Sequence, residues 1–117
     1  MKNNIISQNN TSFKFVVTKK QVNKKKSLKT SILYDKVELS ANLSIDPYKN
    51  VLIQNPKTFD LSFIKNASLN DEIIIQNKIL KLNDTELELC VVVFKKNKDY
   101  NDIICKAVFG YHFKKAS

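Results

Sequence analysis

A single helix-like stretch followed only by strand-like stretches is the sequence feature that most restricts the fold of this chain. Between Ser31 and Ile45, apolar residues recur every four positions at Val37, Ala41 and Ile45, which is the repeat of one side of a helix. After Pro47, apolar residues alternate with polar ones, which is the repeat of a half-buried strand. This order predicts an α+β fold in which one long helix packs with an antiparallel sheet.

The helix candidate has a start, an end and apolar residues on several sides. Thr30 or Ser31 is expected to cap its first turn, because a hydroxyl oxygen can accept a hydrogen bond from the free backbone N–H groups there. Asp46 ends it, because the residue before a proline avoids the helical region. Three leucines lie on other sides of the helix: Leu33, Leu39 and Leu43. We therefore expect the rest of the fold to surround the helix.

Strand-like alternation occurs before the helix and repeatedly after it. The first strand contains Phe13, Phe15 and Val17, and the lysine-rich segment 19–29 that follows is expected to be a mobile loop. After the helix, Val51 and Ile53 form a short strand. The stretch 82–85 is rich in turn-forming residues and predicts a hairpin. Further strands are expected at 59–63, 73–82, 87–93 and 103–113, the last with Ile103, Cys105, Ala107, Phe109, Tyr111 and Phe113 on one side.

Length and composition limit the number of domains and the kinds of ligand. The 117 residues suit one domain, 12–117, after a flexible N-terminus, 1–11. One Gly and two Pro leave no glycine-rich phosphate loop. All 20 basic residues are Lys, so the net charge of +9 comes without the Arg fork that reads guanine edges. Sequence-specific DNA recognition is therefore disfavoured, and the many Lys and Asn residues also match the coding bias of an A/T-rich genome.

Neither the cysteines nor the histidine form a recognisable motif. Cys90 and Cys105 lack the spacing of metal ligands and are expected to stay reduced, while His112 stands alone in the last strand. No stretch has the length and apolar character of a membrane helix, and residues 1–10 are too polar for a signal-peptide core. We expect a cytoplasmic protein without a metal site.

The stretch from Thr58 to Ile73 carries a resemblance to a known fold. It resembles the strand, turn and strand of the hotdog fold of acyl-thioester enzymes and binding domains, in which a curved antiparallel β-sheet wraps around one long central helix. That family usually has Leu-Gly-Asp where this chain has Leu69, Asn70 and Asp71. Asn is the residue that best replaces Gly in a left-handed backbone. The resemblance therefore implies a hotdog fold despite the missing glycine.

A second resemblance concerns one subfamily. The pair Ala41-Asn42 lies 22 positions before Phe63, and the closing strand runs from Ala107 to Phe113. Both features are similar to the effector domain of the malonyl-CoA-responsive repressors of fatty-acid synthesis. This resemblance implies an acyl-CoA sensor, with a part in fatty acid metabolism.

The hotdog resemblance also implies where a reactive carboxylate would lie. In hotdog thioesterases a carboxylate on the central helix acts as nucleophile or as general base near the thioester carbonyl, and backbone donors at a helix start polarise its oxygen. Glu38 fits the carboxylate, and Asn42, one turn later, is expected to orient the substrate. The other interpretation is that Glu38 is a solvated helix acid and that Asn42 hydrogen-bonds locally.

Substrate binding is assigned to Asp35, Tyr34 and Lys29, and Asn55 is a further pocket candidate. Asp35 has a second interpretation as an early helix acid stabilised by the helix dipole. The Lys clusters at 24–26, 29 and 114–115 are expected to meet the phosphates of coenzyme A or the acidic surface of an acyl carrier protein, unless they are simply solvated. No cofactor is expected apart from coenzyme A as part of the substrate.

Three functions stay open from the sequence. The first is the binding of an acyl-CoA or acyl-carrier-protein thioester, with its hydrolysis, by a homodimeric thioesterase. The second is a non-catalytic acyl-CoA-binding sensor or structural domain. The third is sequence-independent binding of nucleic acid through Lys and aromatic residues such as Phe13 and Phe15.

Overall fold

A computed structural model of the protein describes residues 11–53 and 56–115. Its elements in chain order are strand β1 (Thr11–Val16), helix α1 (Thr30–Ile45) and strands β2 (Lys57–Phe63), β3 (Glu72–Leu82), β4 (Glu86–Lys96) and β5 (Asn101–His112). The predicted flexible N-terminus, 1–11, lies outside the described residues except for Thr11. The candidate Asn55 lies outside them as well.

The five strands of the described residues form one antiparallel sheet in the order β1-β3-β4-β5-β2. The predicted hairpin joins β3 to β4. In its turn, Asn83 Oδ1 accepts hydrogen bonds from the backbone N–H groups of Thr85 and Glu86, both at 2.9 Å. An Asn side chain that binds the backbone two and three residues later fixes a tight turn. The sheet leaves β1 and β2 as its edge strands.

Helix α1 lies across one face of the curved sheet, as the predicted fold requires. Its buried residues are Leu33, Val37, Ser40, Ala41 and Ser44. The sheet residues of the same core are Ile73, Ile75, Leu87, Leu89, Val91, Val93, Ala107 and Phe109. The far side of the helix is open, since Leu39 and Leu43 are 55% and 50% exposed. The predicted helix is therefore confirmed. The expectation that the rest of the fold surrounds it is wrong for one copy of the chain, because a single sheet can cover only one side of a helix.

The start of α1 differs from its prediction. The helix begins at Thr30 with Lys29 as its N-cap, and no side chain caps it, so neither Thr30 nor Ser31 plays the expected part. The first turn contains no acidic residue, which puts Asp35 in the second turn. The effect of a helix dipole falls off within the first turn. The dipole interpretation of Asp35 is therefore wrong.

Two strand predictions also fail locally. Instead of a strand at Val51 and Ile53, residue Leu52 forms a single bridge with Phe113, and Leu52 is the buried one of the three. In β5 a register shift inserts one residue, so that Ile104 is buried while the predicted inward residue Ile103 is 42% exposed. A β-bulge of this kind puts Ile103, which precedes it, on the opposite face from Cys105, so the alternation of the sequence is interrupted there.

The lysine-rich segment 19–29 is folded rather than a loose loop. It turns back on itself through a bridge between Val22 and Leu28, and Leu28 belongs to the hydrophobic core. Backbone hydrogen bonds also tie it to the connection between β2 and β3: Leu28 N–H to Ala67 carbonyl at 2.8 Å and Leu69 N–H to Lys26 carbonyl at 3.0 Å. The two apolar residues among the lysines therefore anchor the segment, which the lysine content alone does not reveal.

Candidate functional site

Three of the predicted site residues share one flank of α1. Tyr34, Glu38 and Asn42 follow one another at intervals of four, and residues four apart on a helix lie one above the other. Tyr34 is half-buried, whereas Glu38 and Asn42 are exposed. Within the described residues the carboxylate of Glu38 has no hydrogen-bond or ion-pair partner. It is therefore open to water or to a ligand.

A cavity of about 260 Å³ adjoins this flank. Its lining residues are Asn42, Ile45, Lys49, Leu52, Ile53, Pro56 and Tyr111. Apolar side chains make up most of the wall, and an amide, a phenol and an ammonium group are the polar exceptions. This composition, apolar with a few convergent polar groups, is typical of small-molecule sites.

Tyr111 on β5 lines the cavity and also lies near Glu38. It is only 3% exposed, and burial together with the negative charge of nearby Glu38 raises the pKa of its phenol to about 12, with burial as the larger cause. The phenol thus keeps its proton at neutral pH and can donate a hydrogen bond. The sequence interpretation placed Tyr111 only in the core. The signal in the sequence was the hydroxyl group that Tyr111 carries at an inward-facing position of the last strand.

Lys29 and Asp35 do not join this arrangement. Lys29 lies at the very start of α1, and its backbone N–H donates to the Gln21 carbonyl at 2.9 Å. Asp35 is exposed, and neither residue lines the cavity. The structure therefore places Asn42 and Tyr111 in the cavity wall, puts Glu38 one helical turn from Asn42 but outside that wall, and leaves Lys29 and Asp35 apart from them. Tyr34 lies on the same flank but is not part of the cavity wall.

A second cavity, of about 170 Å³, lies on the opposite flank of α1 next to β1. Its lining residues are Phe13, Lys14, Phe15, Lys36, Leu39, Ser40, Leu43 and Ile75. It contains two ammonium groups and no carboxylate, and the Lys36 Nζ lies 5.0 Å from the centre of the Phe15 ring. Neither cavity has a carboxylate among its lining residues, but Glu38 lies one helical turn from Asn42 and near Tyr111. Since acid–base chemistry needs a titratable group near the reacting atoms, the cavity beside Asn42 is the better candidate.

The remaining reactive residue types lie away from the candidate site. Cys90 and Cys105 are free, buried thiols, and burial raises the pKa of Cys105 to about 11. A thiol that keeps its proton is a poor nucleophile. No group of three His, Cys, Asp or Glu side chains that could hold a metal ion occurs among residues 11–53 and 56–115. In the same residues no helix is long and apolar enough to cross a membrane.

Comparison with known proteins reveals similar folds but no similar sequence. No family model matches the sequence, and no curated protein matches it either. Solved structures do match. An acyl-CoA hydrolase from Staphylococcus aureus in complex with butyryl coenzyme A, coenzyme A and coenzyme A disulfide has a TM-score of 0.80 at 10% identity, covering 94% of this chain and 68% of its own.

Two streptococcal structures are similar at slightly higher identity. A hypothetical thioesterase from Streptococcus pneumoniae with coenzyme A has a TM-score of 0.70 at 15% identity, covering 90% of this chain and 78% of its own. A Streptococcus mutans protein bound to acetyl CoA has a TM-score of 0.71 at 14% identity, covering 91% and 82%. At such identities the likeness establishes the fold alone. The chain has the hotdog fold of these acyl-CoA hydrolases and thioesterases.

Proposed function

We propose that this protein binds acyl thioesters and hydrolyses them. The observation that carries the proposal is that Asn42 and Tyr111 line an apolar cavity, while Glu38 lies one helical turn from Asn42 and near enough to Tyr111 to raise its pKa. The shared fold adds to it, because similar structures are acyl-CoA hydrolases or hold coenzyme A and its esters. A carboxylate, two neutral hydrogen-bond donors and an apolar pocket are the groups that hydrolysis of an acyl thioester requires.

Each residue has a separate part in the proposed reaction. Glu38 accepts a proton from a water molecule, whose oxygen attacks the thioester carbonyl carbon. Asn42 and the protonated Tyr111 donate hydrogen bonds to the carbonyl oxygen, which becomes negative as the bond to water forms. Collapse of the tetrahedral intermediate breaks the C–S bond. The departing thiolate takes the proton that Glu38 had accepted, and the free carboxylic acid and the thiol then leave.

The cavity sets the size of the acyl group. A protein cavity of about 150 Å³ holds one benzene molecule, and this cavity measures about 260 Å³. Short acyl chains of a few carbons beyond the carbonyl therefore fit its walls of Ile45, Leu52, Ile53 and Pro56. Longer chains would need movement of the exposed Ile53 side chain, which is 52% accessible.

The test is a panel of acyl-CoA esters assayed for release of free thiol. We expect Glu38→Gln to lower kcat by about 10²-fold or more, because the general base is lost while the shape is kept. Asn42→Ala is expected to lower kcat/KM by about 10²-fold through the loss of one donor to the oxyanion. Asp84→Asn, an exposed carboxylate in the β3–β4 turn, is the matched control. Equal thiol release by all four proteins would exclude the proposed roles.

A sensor without turnover is the second candidate. The observation that favours it is that no neighbour among the described residues holds the Glu38 carboxylate in one position, whereas catalysis depends on preorganised groups. The resemblance of Ala41-Asn42 to the repressor effector domains leads to the same candidate. Thermal stabilisation by a CoA ester with no thiol release would favour this function over hydrolysis.

We further propose that the chain acts as a homodimer that pairs through the β2 edge. Leu61 and Phe63 lie opposite the core residues Ala107 and Cys105 and so face the helix side of the sheet. They are nonetheless 37% and 46% exposed, because no strand among the described residues covers that edge. A second copy would bury these side chains and complete the sheet.

The cytoplasmic location and the part in fatty acid metabolism stay predictions.

A further inference from the structure

The positive charge of this protein is concentrated in its first third. Residues 1–34 contain eight Lys and neither Asp nor Glu, while residues 35–117 contain 12 Lys and all 11 acids. Nearly the whole net charge of +9 thus comes from the first 34 residues. A coding bias towards Lys acts along the entire chain and does not explain the absence of acids from one part of it. The uneven distribution calls for a local explanation.

The folded segment 19–29, which we call the lysine hairpin, displays six of these lysines. Lys19, Lys20 and Lys29 lie at its base, because the Lys29 N–H donates to the Gln21 carbonyl at 2.9 Å. Lys24, Lys25 and Lys26 lie at its tip, beyond the Val22–Leu28 bridge. All six are exposed, and none forms an ion pair within the described part of the chain. The lysines that are ion-paired there all belong to the later part of the chain: Lys49, Lys65, Lys81, Lys95 and Lys96.

The backbone of the lysine hairpin is held in place. Asn23 Oδ1 accepts hydrogen bonds from the N–H groups of Lys25 and Ser27 at 2.9 and 3.1 Å. Lys26 adopts a left-handed backbone with φ of 64°, which lets the chain turn at the tip. A fixed array of cations loses less conformational freedom on binding than a flexible one. The hairpin is therefore suited to a partner that meets several charges at once.

The lysine hairpin lies at the N-terminal end of the helix that carries the proposed reaction site. It leads directly into α1, whose N-cap is Lys29, and Glu38 is nine residues further along the helix. At 1.5 Å per residue, this separation is about 14 Å along the helix axis. A partner seated on the hairpin would need a flexible arm of roughly that length to deliver a thioester to Glu38.

We propose that the lysine hairpin binds an acidic protein that carries the acyl group on a pantetheine arm. This proposal rests on the proposed function, because it names the carrier of the thioester. Base and tip lysines are about three residues apart along the hairpin, which corresponds to roughly 10 Å. Charges spread over that distance match a protein surface better than the compact phosphates of one coenzyme A. The resulting attraction is strong at low ionic strength and screened at high ionic strength.

Nucleic acid fits this surface less well. The lysine hairpin contains no Arg and no aromatic residue, whereas binding of single strands relies on bases stacked against aromatic rings. Phe13 and Phe15, which the sequence offered as stacking partners, are half-buried and pack against the core. Binding of single-stranded DNA is therefore an outcome that the test must distinguish from binding of an acidic protein.

The test compares two carriers of one acyl group. The butyryl form of a purified acyl carrier protein and butyryl-CoA are titrated against wild type and against the triple variant Lys20→Gln/Lys24→Gln/Lys25→Gln. The control variant, Lys78→Gln/Lys98→Gln/Lys106→Gln, loses the same charge from exposed lysines outside the hairpin. We expect the hairpin variant to weaken carrier-protein binding about tenfold or more at 0.05 M salt and little at 1 M salt. Its Kd for butyryl-CoA should change less than about threefold.

Direct binding separates this proposal from the proposed hydrolysis. Carrier-protein binding that depends on the hairpin, without thiol release, would support the docking surface and reject hydrolysis. Hydrolysis of butyryl-CoA with no measurable carrier-protein binding would reject the docking surface alone. Equal weakening of both ligands in the hairpin variant would assign the lysines to the phosphates of coenzyme A. Tighter binding of a single-stranded oligonucleotide or of anionic vesicles than of the carrier protein would also overturn the proposal.

Discussion

The side-chain amide of Asn77 on β3 donates hydrogen bonds to the backbone carbonyl oxygen of Ser40 on α1 at 3.0 Å and to its hydroxyl oxygen at 2.7 Å. It also donates to the hydroxyl oxygen of Ser44, one turn later. All three residues are buried, with Asn77 only 2% exposed. This polar contact fixes how far α1 is shifted along the sheet. It thereby sets the position of Glu38 and Asn42 relative to Tyr111.

Replacement of Asn77 should therefore destabilise the fold and disturb the site. We expect Asn77→Ala to lower the free energy of unfolding by about 2–4 kcal/mol, because buried hydroxyl and carbonyl groups lose their donor and a small void is left. Urea unfolding measures the change. Gln76→Ala, an exposed neighbour on the same strand, should shift stability by less than about 0.5 kcal/mol. A loss below about 1 kcal/mol for Asn77→Ala would contradict the anchoring role.

The helix and the long hairpin could be predicted from the sequence because both are local patterns. Fourfold spacing around Val37 and alternation from Leu87 to Val93 reflect the way a backbone repeats, and the structure has α1 and β4 at these places. The turn at Asn83 is local as well. Glu38 and Asn42 also follow from helix spacing, since residues one turn apart share a flank.

The other features of the fold and of the candidate site depend on contacts between residues that are distant in the chain, and local sequence patterns do not encode such contacts. The lysine hairpin is ordered by Ala67 and Ser68, some 40 residues away in the chain. The bulge that buries Ile104 depends on the pairing of β5 with β4. Tyr111 enters the site only because the fold brings the end of β5 to the cavity wall beside Asn42 and Ile45, whereas alternation alone makes it a core residue.

Asn70 occupies the position of the glycine in the usual Leu-Gly-Asp turn, and its substitution tests whether the turn needs a residue that tolerates positive φ. Its φ is 74°, so the left-handed backbone expected from the resemblance is confirmed. Glycine has no Cβ to strain such a backbone, and we expect Asn70→Gly to change stability by less than about 1 kcal/mol. Asn70→Val should cost about 2 kcal/mol, since β-branched residues disfavour positive φ. Thermal unfolding of both variants measures the difference, and equal melting temperatures would show that the turn tolerates any residue.

The raised pKa of Tyr111 predicts a loss of stability at alkaline pH. Its folded-state pKa of about 12 lies above the ordinary value of 10.0, so the stabilisation is complete below pH 10 and is lost as the pH rises through 12. At pH 11 the loss amounts to about 1 kcal/mol. The Tyr111→Phe variant should lack this part of the decline, whereas Tyr100→Phe, at a side chain 63% exposed, should keep it. Identical pH profiles for all three proteins would contradict the burial effect.

Tyr111→Phe also tests the proposed donor to the thioester oxygen. Removal of the hydroxyl leaves the ring packing unchanged, so we expect a folded protein with kcat lowered about 10-fold to 10²-fold and KM nearly constant. A donor that acts only on the developing oxyanion affects kcat rather than substrate binding. A rise in KM with unchanged kcat would instead make Tyr111 a part of the binding wall. The assay is thiol release from butyryl-CoA at neutral pH.

The β2 edge predicts the oligomeric state. Phe63 is 46% exposed on the helix side of an uncovered strand, and a charge placed there would have to be buried in a dimer that pairs through β2. We expect wild type to elute as a dimer in size-exclusion chromatography with light scattering and Phe63→Glu to elute as a folded monomer. Ile103→Glu, a similarly exposed position at 42%, serves as the control and should stay dimeric. A dimer that survives Phe63→Glu but dissociates with Ile103→Glu would place the contact on β5, away from the edge next to Leu61.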